Sequence, residues 1–255
     1  MNKRANPPKD STPEKGERIA KVMARAGLCS RREAERWIEG GRVAVDGNIL
    51  ESPAFTVTSA NSIAVDGKVI AGRTETKLWR YHKPPGLLVS NNDPEGRPTI
   101  FERLPQYLPR VVTVGRLDMN SEGLLLLTND GELARFMERP DTGWVRQYRV
   151  RVNSRVNEKS LEKLAKGITV SGIRYGSIKA SLDRQQGANA WLNMSLTEGK
   201  NREIRKVLEH MDMPVSRLIR VTYGPFQLGK MERGQVEETG RRMLKDSVPK
   251  DFDLG

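Results

Sequence analysis

Asp118 is the side chain in this sequence best placed to do chemistry. It closes the run Gly115-Arg116-Leu117-Asp118, between apolar segments at Val111–Val114 and Leu124–Thr128. Rigid strands on both sides would hold a single carboxylate in place, as an acid, base or nucleophile requires. The same spacing fits a turn aspartate that accepts backbone N–H groups, and both readings stand at this point. Arg205 follows the apolar Ile204 in Gly199-Lys200-Asn201-Arg202-Glu203-Ile204-Arg205-Lys206-Val207. An arginine at the edge of an apolar helix face can keep a nearby carboxylate ionised. An ordinary exposed amphipathic helix fits the run as well. In Arg146–Val152, Gln147, Arg149 and Arg151 face one way, and Tyr148, Val150 and Val152 the other. Tyr148 there is either a stacking surface for a base or plain sheet packing. His82-Lys83-Pro84-Pro85-Gly86 reads as a rigid turn after a strand.

The elements that must position these residues can be read from periodicity. Ile19, Val22, Met23 and Ala26 recur at helical spacing until Gly27. Ser30 and Glu33 form a capping box for a second helix reaching about Glu39. Val43–Val45 and Ile63–Val65 each run into an Asp-Gly pair, a hairpin signal. This small unit spans residues 17–70. Within it Arg31, Arg32 and Arg36 crowd the first turns of one helix, either as a solvated face or as a contact for RNA. Residues 71–76 read as a linker. A larger unit follows over 77–245. Its expected strands are 78–82, 111–114, 124–128, 147–152, 173–182, 191–197 and 215–223. Its expected helices are 132–138, 158–166 and 201–211. Strands outnumber helices, so the fold class is α+β, with a mixed, largely antiparallel sheet. Residues 1–16 read as a disordered tail and 246–255 as a frayed end.

Composition bounds the partners. The chain has 255 residues, 44 Lys+Arg against 32 Asp+Glu, and a formal charge of +12. That balance suits a polyanion, nucleic acid first. One cysteine, Cys29, precludes an internal disulfide, and two histidines preclude a His-cluster metal centre, so no metal is expected. No apolar run is long enough to cross a membrane, and the first residues lack a secretory h-region, so a cytoplasmic setting is expected. With no interface stripe, a monomer is expected.

Taken in order, these segments resemble the RsuA/RluB family of RNA pseudouridine synthases, over about nine-tenths of the chain. Residues 18–66 look like the alpha-L RNA-binding module that precedes the catalytic domain in that family. His82–Gly86, Gly115–Asp118, Gln147–Val150 and Gly199–Val207 look like the synthase motifs, and Arg217-Leu218-Ile219-Arg220 with Gly224-Pro225-Phe226 also matches. The resemblance implies conversion of uridine to pseudouridine in ribosomal RNA, an isomerisation that needs no cofactor. It implies Asp118 as the catalytic aspartate, Tyr148 stacked on the uracil, Arg205 paired with the aspartate, and Arg116 holding the flipped-out conformation. Ile204 joins the substrate-binding set, and Arg31, Arg32, Arg36, Lys200 and Arg202 the RNA-binding set. Arg146 stands where many relatives carry lysine. The run Glu198–Glu203 points to large-subunit rather than small-subunit rRNA; a non-catalytic rRNA-binding or ribosome-assembly protein is the other alternative.

Overall fold

A computed structural model describes residues 16–72 and 74–255. The tail expected over 1–16 therefore lies outside the described residues except for Gly16, and so does Arg73 of the expected linker. The chain forms two compact units that part between Glu75 and Thr76.

In the first unit, helices α1 (Ile19–Arg25) and α2 (Arg31–Glu39) pack with a four-stranded sheet. Its strands are β1 (Val43–Val45), β2 (Asn48–Ile49), β3 (Ile63–Val65) and β4 (Lys68–Val69), in the order β2-β1-β3-β4. Both reciprocal bonds of the Ser30/Glu33 capping box are present at the start of α2. At each Asp-Gly turn both residues have positive φ, Asp46 at 51° and Gly47 at 84°, Asp66 at 49° and Gly67 at 76°. Two-residue hairpin loops of that kind match the twist of the strands they join. Ile19, Met23, Ala34, Ile38, Val43 and Ile63 form the core.

The second unit is built on a nine-stranded sheet. Its strands include β5 (Leu78–Lys83), β6 (Val112–Val114), β7 (Glu122–Thr128), β8 (Arg146–Asn153), β9 (Ile178–Gln186), β10 (Asn189–Leu196), β11 (Val215–Tyr223) and β12 (Val236–Glu238). The main path runs β9-β10-β8-β11-β7-β5-β12, with β6 on β7 and Phe226–Gln227 on β11. Neighbours are antiparallel except β7 and β11, which pair in parallel through Ile219–Glu122 and Arg220–Gly123. The sheet is thus mixed and largely antiparallel, as expected. Helices α3 (Gly131–Glu138), α4 (Glu158–Glu162), α5 (Glu203–His210) and α6 (Arg241–Asp246) complete the unit. Strand β7 is buried on both faces: Leu125 and Leu127 enter one core, Leu124 and Leu126 the other. That explains its unbroken apolar run.

Four expectations are corrected. The single strand expected over 173–182 is broken at Gly176 into Ile173–Tyr175, which pairs with Ile168–Val170, and β9. The helix expected over 158–166 is α4 followed by a 3-10 turn, Lys163–Lys166. Thr76, expected in the linker, is buried and donates to Asp130 Oδ2 at 2.9 Å. The C-terminal end is not frayed: Leu254 is buried, its carbonyl accepts from Thr76 N at 2.8 Å, and the Phe252 ring lies 5.6 Å from Phe136. Val248, Phe252 and Leu254 supply enough apolar surface to anchor an otherwise polar segment.

Candidate active site

The Asp118 loop begins where β6 ends. Gly115 takes φ +67° and donates its N–H to Glu138 Oε1 at 2.6 Å. Leu117 is buried in the main core and pins the loop to the sheet. Ser121 N then donates to Asp118 O at 3.0 Å and closes the turn into β7. Asp118 itself keeps 29% of its side chain exposed.

Beneath the loop lies Lys83, the last residue of β5. Its strand parity matches Trp79 and Tyr81, so its side chain points into the main core. It is fully buried, and its Nζ faces four carbonyls: Pro84 at 3.0 Å, Asp118 and Met119 at 3.2 Å, and Ser121 at 2.9 Å. Three of the four belong to the Asp118 loop. Burial pushes the ammonium down to about 8, while the Asp118 and Glu122 carboxylates oppose that fall. Reading His82–Gly86 as a turn missed this role; the inward parity of Lys83 was the signal available.

Arg205 reaches Asp118 from α5. Its Nε lies 3.8 Å from Asp118 Oδ2, an ion pair longer than a hydrogen bond. Its Nη2 donates to Asn120 O at 3.0 Å, so it grips the loop and the carboxylate together. Arg202 also comes to this carboxylate, with Nη1 3.5 Å from Oδ2. Sequence reasoning grouped Arg202 with general RNA contacts and did not place it here. Arg202 has left-handed backbone, which delays the start of α5 from the expected Asn201 to Glu203.

The other expected residues divide. Tyr148 alternates inward on β8 and is buried beside Met194 in the main core. Cross-strand register places Tyr148, Arg220, Gly123 and Lys83 in one row over β8, β11, β7 and β5. Tyr148 therefore lies on the sheet row from which the Asp118 loop rises, without touching the carboxylate. Arg116 is exposed and pairs with nothing among the described residues. Ile204, expected to meet substrate, is only 4% exposed and packs in the main core, where it seats α5. Lys200 is tied down, donating to Arg174 O at 2.7 Å and Glu198 Oε2 at 2.8 Å. Arg31, Arg32 and Arg36 are exposed on α2, and none forms an ion pair among the described residues. On α1, by contrast, Lys21 and Arg25 are both committed to Glu17.

Two further buried charged groups fix strand ends of this unit. Arg146 is buried and donates to Thr197 O at 2.6 Å, Glu198 O at 2.9 Å and Tyr223 Oη at 3.0 Å. This fork-like set suits a guanidinium better than a lysine ammonium. Glu122 is buried at the start of β7 between Arg217 and Arg233, the latter 2.8 Å away. Burial alone would raise its pKa, but the two arginines outweigh that and hold it low. Among the described residues no three His, Cys, Asp or Glu side chains gather as a metal site, and no helix is long and apolar enough to cross a membrane.

Asp118 thus sits on a braced loop against two arginines, and a separate unit of the chain carries exposed arginines on α2. Residues 77–210 match the RNA pseudouridylate synthase family, and residues 17–63 match the S4 domain. An uncharacterized RNA pseudouridine synthase of Rickettsia prowazekii is 43% identical over 231 residues, covering 91% of this chain and 97% of that one. The ribosomal large subunit pseudouridine synthase B of Shigella flexneri is 45% identical over 222 residues, covering 84% and 76%. A solved pseudouridylate synthase superposes with TM-score 0.64 at 24% identity, over 91% of this chain and 99% of that one, a likeness of fold. The chain belongs to the RsuA/RluB family of RNA pseudouridine synthases, isomerases that act on RNA.

Proposed function

We propose that this enzyme converts a specific uridine of large-subunit ribosomal RNA to pseudouridine, with Asp118 as the catalytic carboxylate. The observation that carries the chemical assignment is the asymmetry at Asp118. Both arginines make their nearest approach to Oδ2, while Oδ1 accepts no hydrogen bond among the described residues. One oxygen is thus held and the other is free to meet the reacting nucleotide. The large-subunit reading rests on the likeness to the Shigella flexneri enzyme.

The reaction breaks the N1–C1′ bond, turns the uracil and joins C5 to C1′. The C5 proton is lost and N1 gains one, so atoms balance without a donor or oxidant. The target base must leave its stack, which costs a few kcal/mol. Phosphate contacts offset that cost, and the S4 unit raises the effective concentration of RNA at the catalytic unit. Tyr148 offers an aromatic face to the extruded base, and Arg205 holds the carboxylate and its loop in place from α5. Arg116, with no partner of its own, is free to support the flipped-out strand.

Mapping pseudouridines in ribosomal RNA from cells with the intact gene, without it, and with Asp118→Ala tests this. We expect one large-subunit position to lose its pseudouridine in both altered strains. Loss only in the deletion would remove Asp118 as the catalyst. Loss at a small-subunit position would overturn the large-subunit reading, and no change in ribosomal RNA would overturn the substrate class.

A further inference from the structure

Two arginines share one oxygen of Asp118, and they are built differently. Arg205 is fixed: its side chain is 12% exposed, and it donates to Asn120 O at 3.0 Å as well as facing Oδ2 at 3.8 Å. Arg202 is not. Its side chain is 47% exposed, and its 3.5 Å approach to Oδ2 is the one hydrogen bond or ion pair its side chain makes among the described residues. Its backbone is left-handed, with φ 51° and ψ 32°, and its side chain caps nothing. That is an unfavourable choice on both counts, since arginine has a Cβ and helix starts prefer Ser, Thr, Asp or Asn. Such departures gather at functional sites. Here the departure takes Arg202 out of the α5 register, and its guanidinium meets Asp118.

The charges do not balance. Two guanidinium groups face one carboxylate at a half-exposed position, and the buried Lys83 ammonium lies beneath the same loop, so positive charge is in excess. Arg205 registers the crowding: burial first, then Arg202, push it below the ordinary arginine range, while Asp118 opposes them. An anion entering the site would relieve this, and every nucleotide of an RNA substrate brings one.

We propose that Arg202 exchanges partners during the catalytic cycle. In the free enzyme it rests on Asp118 Oδ2; on RNA binding it moves to a phosphodiester flanking the flipped uridine, leaving the carboxylate to Arg205 and the substrate. A phosphate offers a guanidinium the same paired oxygens as a carboxylate, so one charge-assisted contact replaces another. Arg202 thus gives up its share of Oδ2 when the phosphate of the target nucleotide arrives. The inference rests on the assignment of Asp118 as the catalytic carboxylate.

The test is a double-mutant cycle across enzyme and RNA. The probe is a synthetic stem-loop carrying the uridine located by the mapping above. Its two flanking phosphodiesters are replaced, one at a time, by uncharged methylphosphonate. Wild type, Arg202→Gln, Arg202→Lys and Asp118→Asn are compared for Kd, single-turnover rate and salt dependence. We expect Arg202→Gln to weaken binding about tenfold and to lower the salt slope by about one. One of the two methylphosphonates should weaken wild-type binding equally and add little to Arg202→Gln, and Arg202→Lys should recover part of the loss. Losses that multiply at both positions would overturn the exchange, as would an Arg202→Gln that binds normally and only turns over slowly. The modified RNA on wild-type enzyme keeps the test open should Arg202→Gln fold poorly. Asp118→Asn should form no pseudouridine and, with Arg202 released from its resting partner, should bind RNA more tightly than wild type. Retained turnover there would overturn the catalytic assignment itself, a failure distinct from a cycle that multiplies.

Discussion

Lys83 shows what a single buried charge contributes at this site. Its ammonium sits inside a shell of carbonyls from the Asp118 loop, so its protonation state affects how firmly that loop is held. Below pH 8 the group is charged and the shell is satisfied; above it, the group loses its charge and one N–H donor. Turnover should therefore fall along an alkaline limb centred near pH 8, with Kd for RNA changing less. Lys83→Met keeps the volume and removes every donor. It should lower kcat on the order of 10- to 100-fold at pH 7, through misplacement of Asp118, and should abolish the limb. An unchanged limb in Lys83→Met would assign it to another group. The limb is not global unfolding. A lysine whose pKa is lowered in the native state binds fewer protons there than in the unfolded chain, between about 8 and the ordinary lysine value. By linkage the buried charge costs stability at neutral pH, and that cost fades as pH rises. Activity and stability should thus move in opposite directions across this window, which thermal unfolding alongside turnover will show. The meeting of Asp118 with Arg205 was implied by the family resemblance alone, because the neighbours of each leave a turn aspartate and an exposed helix open. Lys83 was not legible, because three of its four partners are backbone carbonyls 35 to 38 residues away.

At the scale of elements, the site depends on how closely β7 approaches β11. This is the one parallel pairing on the main path of the sheet, and it meets at Gly123 and Arg220. Gly123 has φ +106°, and a Cβ there would strike the Arg220 carbonyl and come within 2.7 Å of its nitrogen. Both obstacles are backbone, so nothing flexible can yield. Gly123→Ala should cost about 3 kcal/mol or more, from overpacking and from a φ that suits only glycine. Because Lys83 pairs across from Gly123 on the other side, the same change should loosen the Asp118 loop. Chemical denaturation and turnover measured together test this: a stability loss below about 1 kcal/mol would show that the strands can part at no cost. Local elements were largely readable. The capping box, the Asp-Gly hairpins and the alternation of β8 each follow from near neighbours. The breaks were harder. Gly176 splits an apparent strand because its close neighbour is the Glu198 carboxylate, and Arg202 shortens α5 because its guanidinium serves Asp118. Both depend on distant partners that no local window contains.

At the scale of the molecule, the division of labour between the two units sets how RNA is held. The catalytic unit must pull one base out of its stack. Three of its basic residues, Arg146, Arg205 and Lys200, are engaged internally, while others such as Arg103, Arg110 and Arg116 stand exposed without an ion pair among the described residues. The S4 unit holds both kinds as well. Lys21 and Arg25 are spent on Glu17, but Arg31, Arg32 and Arg36 stand exposed on α2 without an ion pair among the described residues. If these three meet phosphates, changing all of them to Gln should leave the fold intact, since none is buried. Each lost contact should lower the slope of log K against log salt by about 0.7 to 0.9, so the triple variant should lose about 2. Binding should weaken most at low salt, where counterion release counts for most, and converge on wild type as salt rises. The single-turnover rate at saturating RNA should not change, because saturation removes a loss that is one of affinity alone. A triple variant with an unchanged salt slope would return the three arginines to the solvated-face reading that their composition alone permits. A fall in the saturating rate would instead mean that the S4 unit helps to shape the catalytic site, and is more than an anchor for the RNA.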